Sequence, residues 1–540
     1  MIAPRSTPVS VGIGPLTPDE VVAVARYRVP VVIDPAALSE VAASRALIVA
    51  LADDVEPHYG ISTGFGALAT TFIAEDRRAQ LQRSLIRSHA AGTGGEVEAE
   101  VVRALMLLRL STLCTGRTGV RPVVVESYAA MLNAGITPIV REYGSLGCSG
   151  DLAPLSHIAL AAMGEGTVRV DGIETAAADA LAAAGIAPLE LAEKEGLALI
   201  NGTDGMLGML VLALHDLERL IVSADVAAAM SVESQLGTDA VFAADLQRLR
   251  PQVGQALSAA NMLAALAESP MVASHKGPEC TRVQDAYSLR CSPQVHGAVR
   301  DTAAHARMIA ERELASAIDN PVVTLDGRVE SNGNFHGAPV AYVLDFLAIA
   351  IADLASIAER RTDRALDKAR SNGLPPFLAH EVGVDSGLMI AQYASAGIVS
   401  ELKRLAAPAS VDSIPSSAMQ EDHVSMGWAA ARKLRRSIDG LARVLGIEIM
   451  TAARALDLRA PLLPGPATSA VHALVRTVVE GPGPDRFLSP EMEAVSALVA
   501  GGRVAEVAAP YLPHPAAVAP ATAASSTAAS STAASTEETR

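Results

Sequence analysis

Gly205-Met-Leu-Gly-Met-Leu-Val-Leu-Ala-Leu-His-Asp-Leu-Glu-Arg-Leu-Ile-Val-Ser-Ala-Asp-Val-Ala-Ala-Ala-Met-Ser-Val-Glu-Ser-Gln235 is the stretch that decides the fold. It is far too long for a strand, holds no proline, and its charged residues fall on the face opposite a broad apolar stripe, which predicts one long core helix. Val340 to Asp367 and Met426 to Arg459 repeat the pattern. Three such helices bury their stripes most simply against one another, so the expected fold is mainly α, with a central long-helix bundle.

The composition agrees. Of 540 residues, 50% are hydrophobic but only 3% aromatic. The apolar content is mostly alanine, valine and leucine, which suits closely packed helices better than a sandwich or barrel. The length fits roughly two to four domains or one large helical unit. A formal charge of −16 excludes a general phosphate-backbone binder, so nucleic acid is not an expected partner. Four cysteines, Cys114, Cys148, Cys280 and Cys291, form no CxxC pair and follow no secretion-like leader. A disulfide framework or zinc cluster is therefore not expected, and a reducing cytoplasm is. The richest apolar stretches, near Met206 to Leu214 and Phe346 to Ala352, are cut short by Asp216, Asp345 and Asp353, so no membrane span is expected.

Outside the bundle, Thr17-Pro18-Asp19-Glu20 combines a hydroxyl cap, proline at the first helical position and a glutamate three residues after the cap, which starts a helix. Asp34-Pro35 starts another. Thr167 to Gly172 alternates briefly before a turn, and Val322 to Glu330, with Asp326-Gly327 at its centre, reads as a small hairpin. The Ala-Ala-Ser-Ser-Thr repeats from Ala523 onward carry too little apolar surface to offset ordering entropy. The expected organisation is an N-terminal domain over 1–205, a central bundle with C-terminal helices over 206–509, and a disordered tail over 510–540.

Two generic motifs fail on context. Gly64-Phe-Gly66-Ala-Leu-Ala69 matches G-x-G-x-x-A, but no buried strand precedes it and no βαβ unit follows. His380-Glu381 begins like a zinc-protease helix, yet Val384 stands where the second histidine must be, so no metal is expected. More informative is Gly144-Ser-Leu-Gly-Cys-Ser-Gly-Asp-Leu-Ala-Pro-Leu-Ser-His157, a small-residue loop running into an apolar helix. Taken alone it is a tight turn with Asp151 as helix cap, and such a helix start offers unpaired N–H groups to a nearby anion.

Cys148-Ser149-Gly150-Asp151 closely resembles the prosthetic-group loop of the histidine and aromatic amino acid ammonia-lyases. The resemblance continues, in family order, through Tyr59 to Gly66, Ser88 to Gly92, Asn201 to Gly205, Gln284 to Cys291, Asn332 to His336 and Gln420 to Ser425. It implies that the Gly150 nitrogen attacks the Cys148 carbonyl with loss of two waters, one from Ser149, giving 4-methylidene-imidazol-5-one and requiring no external cofactor. The family needs such an electrophile because the substrate's β-proton is weakly acidic and ammonia is a poor leaving group. In two places the sequence departs from the commonest pattern: Cys148 stands where alanine is usual, and Ser62 where asparagine is frequent. The Cys148 side chain is not consumed by the cyclisation, so the group is expected to form.

By the same resemblance, Tyr59 is the lid tyrosine that takes the β-proton, and Asn201 holds the carbonyl of the prosthetic group. Tyr287 is a second catalytic tyrosine. Arg290 grips the substrate carboxylate with its planar fork. Gln284 is a polar contact to substrate or prosthetic group, and Phe335 packs near the methylidene carbon. If the segment is helical, Gln284, Tyr287 and Arg290 share one face. Ser88-His89 is similar to the histidine-lyase pair, and Glu421 supplies a carboxylate that suits an imidazole N–H. Facing a phenyl ring, that carboxylate would lose a partner at a cost of about 1–3 kcal/mol. The combined resemblance implies a homotetramer converting L-histidine to trans-urocanate and ammonia, the first step of histidine degradation. A tyrosine or phenylalanine ammonia-lyase or aminomutase, or a helical scaffold that has lost catalysis, are the alternatives.

Overall fold

Each of the three long runs forms a single helix. The computed structural model describes residues 7–54, 56, 58–64, 71–278, 280, 283–514 and 518. The elements that matter for the site are α1 (Pro18–Ala25), α2 (Pro35–Ala52), α3 (Glu75–His89), α4 (Leu152–Ala162), α5 (Asp204–Ser234), α6 (Ser292–Leu314), α7 (Ala338–Leu366) and α8 (Gly427–Asp457). The local signals act as the sequence suggests. Thr17 and Glu20 close a reciprocal capping box on α1, and the Asp34 side chain accepts the Ala36 N–H at the start of α2.

Helices α5, α7 and α8 pack side by side, and almost every residue of α5 is buried. Their ends show that all three run in the same direction. At one end, backbone groups of Gly205, Gly337 and Met426 converge on the loop 146–151. At the other, the Gln235 amide reaches the Arg361 carbonyl and Arg459 reaches the Ser234 carbonyl. Helix α6 runs the opposite way, with Glu313 bonded to Thr203 at the first end and Ser292 to Arg361 at the second. Helix α7 is long and apolar enough to cross a membrane by length and composition, but the bundle covers one face of it completely, at Val340, Leu344, Leu347, Ile351 and Leu354, while Tyr342, Phe346 and Ile349 stay exposed.

Strands among the described residues are short. Val9–Val11 pairs in parallel with Val31–Ile33, and Thr167–Val170 pairs with both Thr137–Pro138 and Ile173–Ala176. Val322–Val323 and Val329–Glu330 form the expected hairpin. One apolar core runs from Val9 through the bundle to Ala508. A domain boundary near 205 would cut the first turn of α5. Of the expected tail, residues 510 and 511 finish a 3-10 turn, Ala509–Tyr511, while all but four of the rest fall outside the described residues.

Candidate functional site

The loop between Gly144 and Asp151 is held from three directions. Asp151 N donates to Gly202 O (2.7 Å), and Gly150 forms a parallel bridge with Gly202. Met426 N donates to Leu146 O (2.8 Å), while Gly337 N and the Ser425 hydroxyl both donate to Gly147 O (3.2 and 2.9 Å). Each contact comes from the start of a long helix, so the positive ends of α5, α7 and α8 face this loop.

Asp151 precedes α4 but does not cap it through its side chain. Its Oδ2 accepts instead from Gly205 N and Met206 N (both 2.9 Å), the first turn of α5, and its Oδ1 accepts the Ser145 hydroxyl (2.9 Å). The cap therefore serves a different helix from the one the sequence suggested. Complete burial pushes its carboxyl up to about 7.

Gly150 has φ +76°, and a Cβ there would stand 2.5 Å from the Gly202 nitrogen and closer still to its carbonyl. No other residue fits without displacing backbone. Beneath this pair, Asn201 is 4% exposed, and its amide donates to Leu197 O (3.3 Å) and Asn320 O (3.4 Å). The fully buried Arg109 guanidinium holds the Asn201 carbonyl (2.7 Å) and pairs with Asp204 (2.9 Å). Sequence reasoning passed over Arg109, because a lone arginine inside an apolar helix carries no motif.

Glu421 reaches the same loop from the segment before α8. Its Oε2 accepts the Cys148 thiol (3.1 Å) and its Oε1 the Ser149 hydroxyl (3.3 Å). Burial, then the Glu421 carboxylate, push the Cys148 thiol up to about 12, so it stays protonated and weakly nucleophilic. His89 ends α3 within the field of Glu421. Burial holds its imidazole below the usual value, opposed by the Leu85 carbonyl and Glu421. Its Nδ1 lies 2.9 Å from Leu85 O and 3.0 Å from the Ser88 hydroxyl. Tyr59 is half-buried against the main core, in a turn whose Gly60 sits over Leu197 and Pro321. Ser62 is fully buried and its hydroxyl accepts His58 N (2.9 Å), so it closes that turn. Residues 65 and 66 of the lid motif lie outside the described residues. Phe335, half-buried, precedes His336, whose ring stacks on His423 at 5.5 Å, bringing the 332–336 motif beside the Glu421 segment.

Gln284, Tyr287 and Arg290 do not join them. The short helix Tyr287–Arg290 excludes Gln284, so the three do not share one helical face. Arg290 lies over the Tyr287 ring, 4.7 Å from its centre, and Tyr287 is 70% exposed. Asp285 accepts Thr238 N just past the C-terminus of α5, and Ser288 O meets Arg361 near the C-terminus of α7. The loop is at the opposite ends of both helices, and a 31-residue helix is about 45 Å long. Within one chain, then, the site residues form two groups at opposite ends of the bundle.

The aromatic amino acid lyase family model matches residues 16–477. A histidine ammonia-lyase of Streptomyces avermitilis is 64% identical over 502 residues, covering 93% of this chain and 98% of that protein. Among solved structures, tyrosine aminomutase from Streptomyces globisporus superposes with a TM-score of 0.88 at 37% identity, covering 94% of this chain and 99% of that one. Histidine ammonia-lyase from Trypanosoma cruzi gives 0.87 at 37% identity, covering 95% and 97%.

Proposed function

The chain belongs to the aromatic amino acid lyase family, and from that premise we propose that it eliminates ammonia from L-histidine to give trans-urocanate, the first step of histidine degradation. The scaffold alone does not choose the reaction, since an aminomutase and an ammonia-lyase superpose almost equally well. The observation that carries the choice is the Glu421 carboxylate on Cys148 and Ser149 with His89 in its field. That pair suits an imidazole N–H and is left without a matching donor by a phenyl ring.

The loop fits the prosthetic group: Gly150 carries no side chain against Gly202, its backbone is already left-handed, and the Cys148 thiol points away to Glu421. Formed from Cys148, Ser149 and Gly150, 4-methylidene-imidazol-5-one supplies an electrophilic carbon for the substrate amine. In this reading the chain's own residues do the rest. The Tyr59 phenol oxygen takes the β-proton. Glu421 and His89 fix the imidazole, Asn201 holds the prosthetic carbonyl, Phe335 packs beside it, and the helix starts around the loop favour developing negative charge. Arg290 clamps the carboxylate, with Tyr287 and Gln284 as the remaining polar contacts.

Those last three residues lie near the far end of the bundle, roughly 35–45 Å from the loop in the same chain, so the reading requires more than one copy. A homotetramer whose bundles pack head to tail would place Tyr287 and Arg290 of one protomer over Ser149 of its partner. No external cofactor is required, and the cytoplasm suits four unpaired cysteines.

The test is near-ultraviolet absorbance of the purified protein with L-histidine, L-tyrosine and L-phenylalanine in turn, beside Ser149→Ala. A urocanate band with histidine alone, abolished in Ser149→Ala, is the expected result. Product from tyrosine or phenylalanine instead would overturn the roles given to His89 and Glu421. No product, together with an intact mass that retains both waters, would favour a non-catalytic scaffold.

A further inference from the structure

We propose that Ser416 is the positioning residue for the Glu421 carboxylate, an inference that rests on Glu421 contacting the substrate. Ser416 and Glu421 close a small antiparallel bridge: Ser416 N donates to Glu421 O (2.8 Å) and Glu421 N to Ser416 O (3.3 Å). The Ser416 hydroxyl also donates to Glu421 Oε2 at 2.9 Å.

The bridge encloses an unusual turn. Ser417, Ala418 and Met419 have φ of 51°, 53° and 71°, three consecutive non-glycine residues in the left-handed region. All three are exposed, so burial does not hold the turn in place. Left-handed backbone at L-residues persists where surrounding contacts impose it, and the contact imposing it here is the Ser416–Glu421 closure. The other side of Glu421 is fixed separately, by Val424 N donating to the Ser413 hydroxyl (2.9 Å) and by the His423 ring on His336.

Glu421 has three side-chain donors: the Cys148 thiol, the Ser149 hydroxyl and the Ser416 hydroxyl. The Ser149 hydroxyl is lost as water if the loop cyclises. Among the described residues, Ser416 is then the one hydroxyl left to aim the carboxylate, and it lies outside the prosthetic loop. It needs no contact with substrate to do so.

The experiment compares Ser416→Ala, Ser416→Thr, Glu421→Ala and the Ser416→Ala/Glu421→Ala double variant in the full-length protein. Steady-state turnover of L-histidine, thermal midpoint and intact mass are measured for each. Ser416 has extended backbone, φ −136° and ψ 179°, which threonine adopts readily, so Ser416→Thr keeps the hydroxyl without strain. Losing a hydrogen bond to a charged group is expected to lower kcat/KM roughly ten- to hundred-fold in Ser416→Ala, and Ser416→Thr should restore most of it. Mass and thermal midpoint should stay at the parent's values, and adding Ser416→Ala to Glu421→Ala should cost nothing further. Parent-like kinetics in Ser416→Ala, an additive loss in the double variant, or a mass showing uncyclised loop would each overturn the proposal. A parent inactive on L-histidine would instead strike at the proposed function.

Discussion

Gly150→Ala tests the closest backbone approach at the site, and Gly172→Ala is its internal control. Both glycines are left-handed, with φ of +76° and +81°. At Gly172 an added Cβ meets nothing within 4 Å, so alanine there suffers only the left-handed penalty, about 1–2 kcal/mol. At Gly150 the same Cβ lands on Gly202 backbone that cannot swing aside. Its carbonyl is bonded to Asp151 N, and the Arg109–Asp204 pair crowds its other side. Displacing it adds an overpacking cost of about 1–3 kcal/mol, bringing Gly150→Ala to roughly 2–5 kcal/mol. Unfolding entropy of about 2.1 cal/mol/K per residue makes 1 kcal/mol worth about 1 °C in a chain of this size. Differential scanning calorimetry at matched concentration should therefore show a drop of about 1–2 °C for Gly172→Ala and about 2–5 °C for Gly150→Ala. Intact mass gives a second reading, since the displaced Gly150 nitrogen should leave the loop uncyclised. Equal shifts in the two variants would refute the close Gly150–Gly202 contact.

Cys148, buried beside Glu421 with its thiol pushed up to about 12, should resist alkylation at neutral pH while exposed Cys280 reacts, as peptide mapping would show; Cys148→Ala should keep the cyclised mass. Removing the Arg109 guanidinium with Arg109→Met leaves Asp204 buried without its cation, a loss of about 3–5 kcal/mol and so about 3–5 °C by calorimetry. Burial lowers the His89 pKa from 6.5, so the unfolded chain takes up the proton first as pH falls. Neutral His89 thus contributes stability that is complete above pH 6.5 and lost as pH falls through its folded value, and a melting series should show a shallower acid decline for His89→Gln.

The long helices were legible because each is one continuous amphipathic signal: Gly205 to Gln235 read from sequence is Asp204–Ser234 in space, and Met426 to Arg459 is Gly427–Asp457. The capping box at Thr17 was legible because it is local chemistry within four residues. Relations between distant segments were less so. Asp151 looked like the cap of its own helix, but the donors it satisfies belong to Gly205 and Met206, more than fifty residues away. The left-handed turn at Ser417–Met419 has no glycine or asparagine to announce it, since a closing bridge rather than propensity imposes it.

The direction of the helices is the relation with most consequence for function. Amphipathic pattern gives a helix its buried face but says nothing of which way it runs. The parallel course of α5, α7 and α8 follows from the connections between them, and α6 returns the chain antiparallel. Parallel packing gathers three helix starts on the loop 146–151, favouring negative charge there. The same packing carries Gln284, Tyr287 and Arg290 to the far end, beside the helix C-termini. Half-buried Arg290 beside exposed Tyr287 at one end, and a glycine loop with a carboxylate at the other, are the two groups that the proposed function joins into one site for an amino acid. In the proposed homotetramer, two such bundles aligned antiparallel would bring unlike ends together twice and so complete two sites with one symmetric contact.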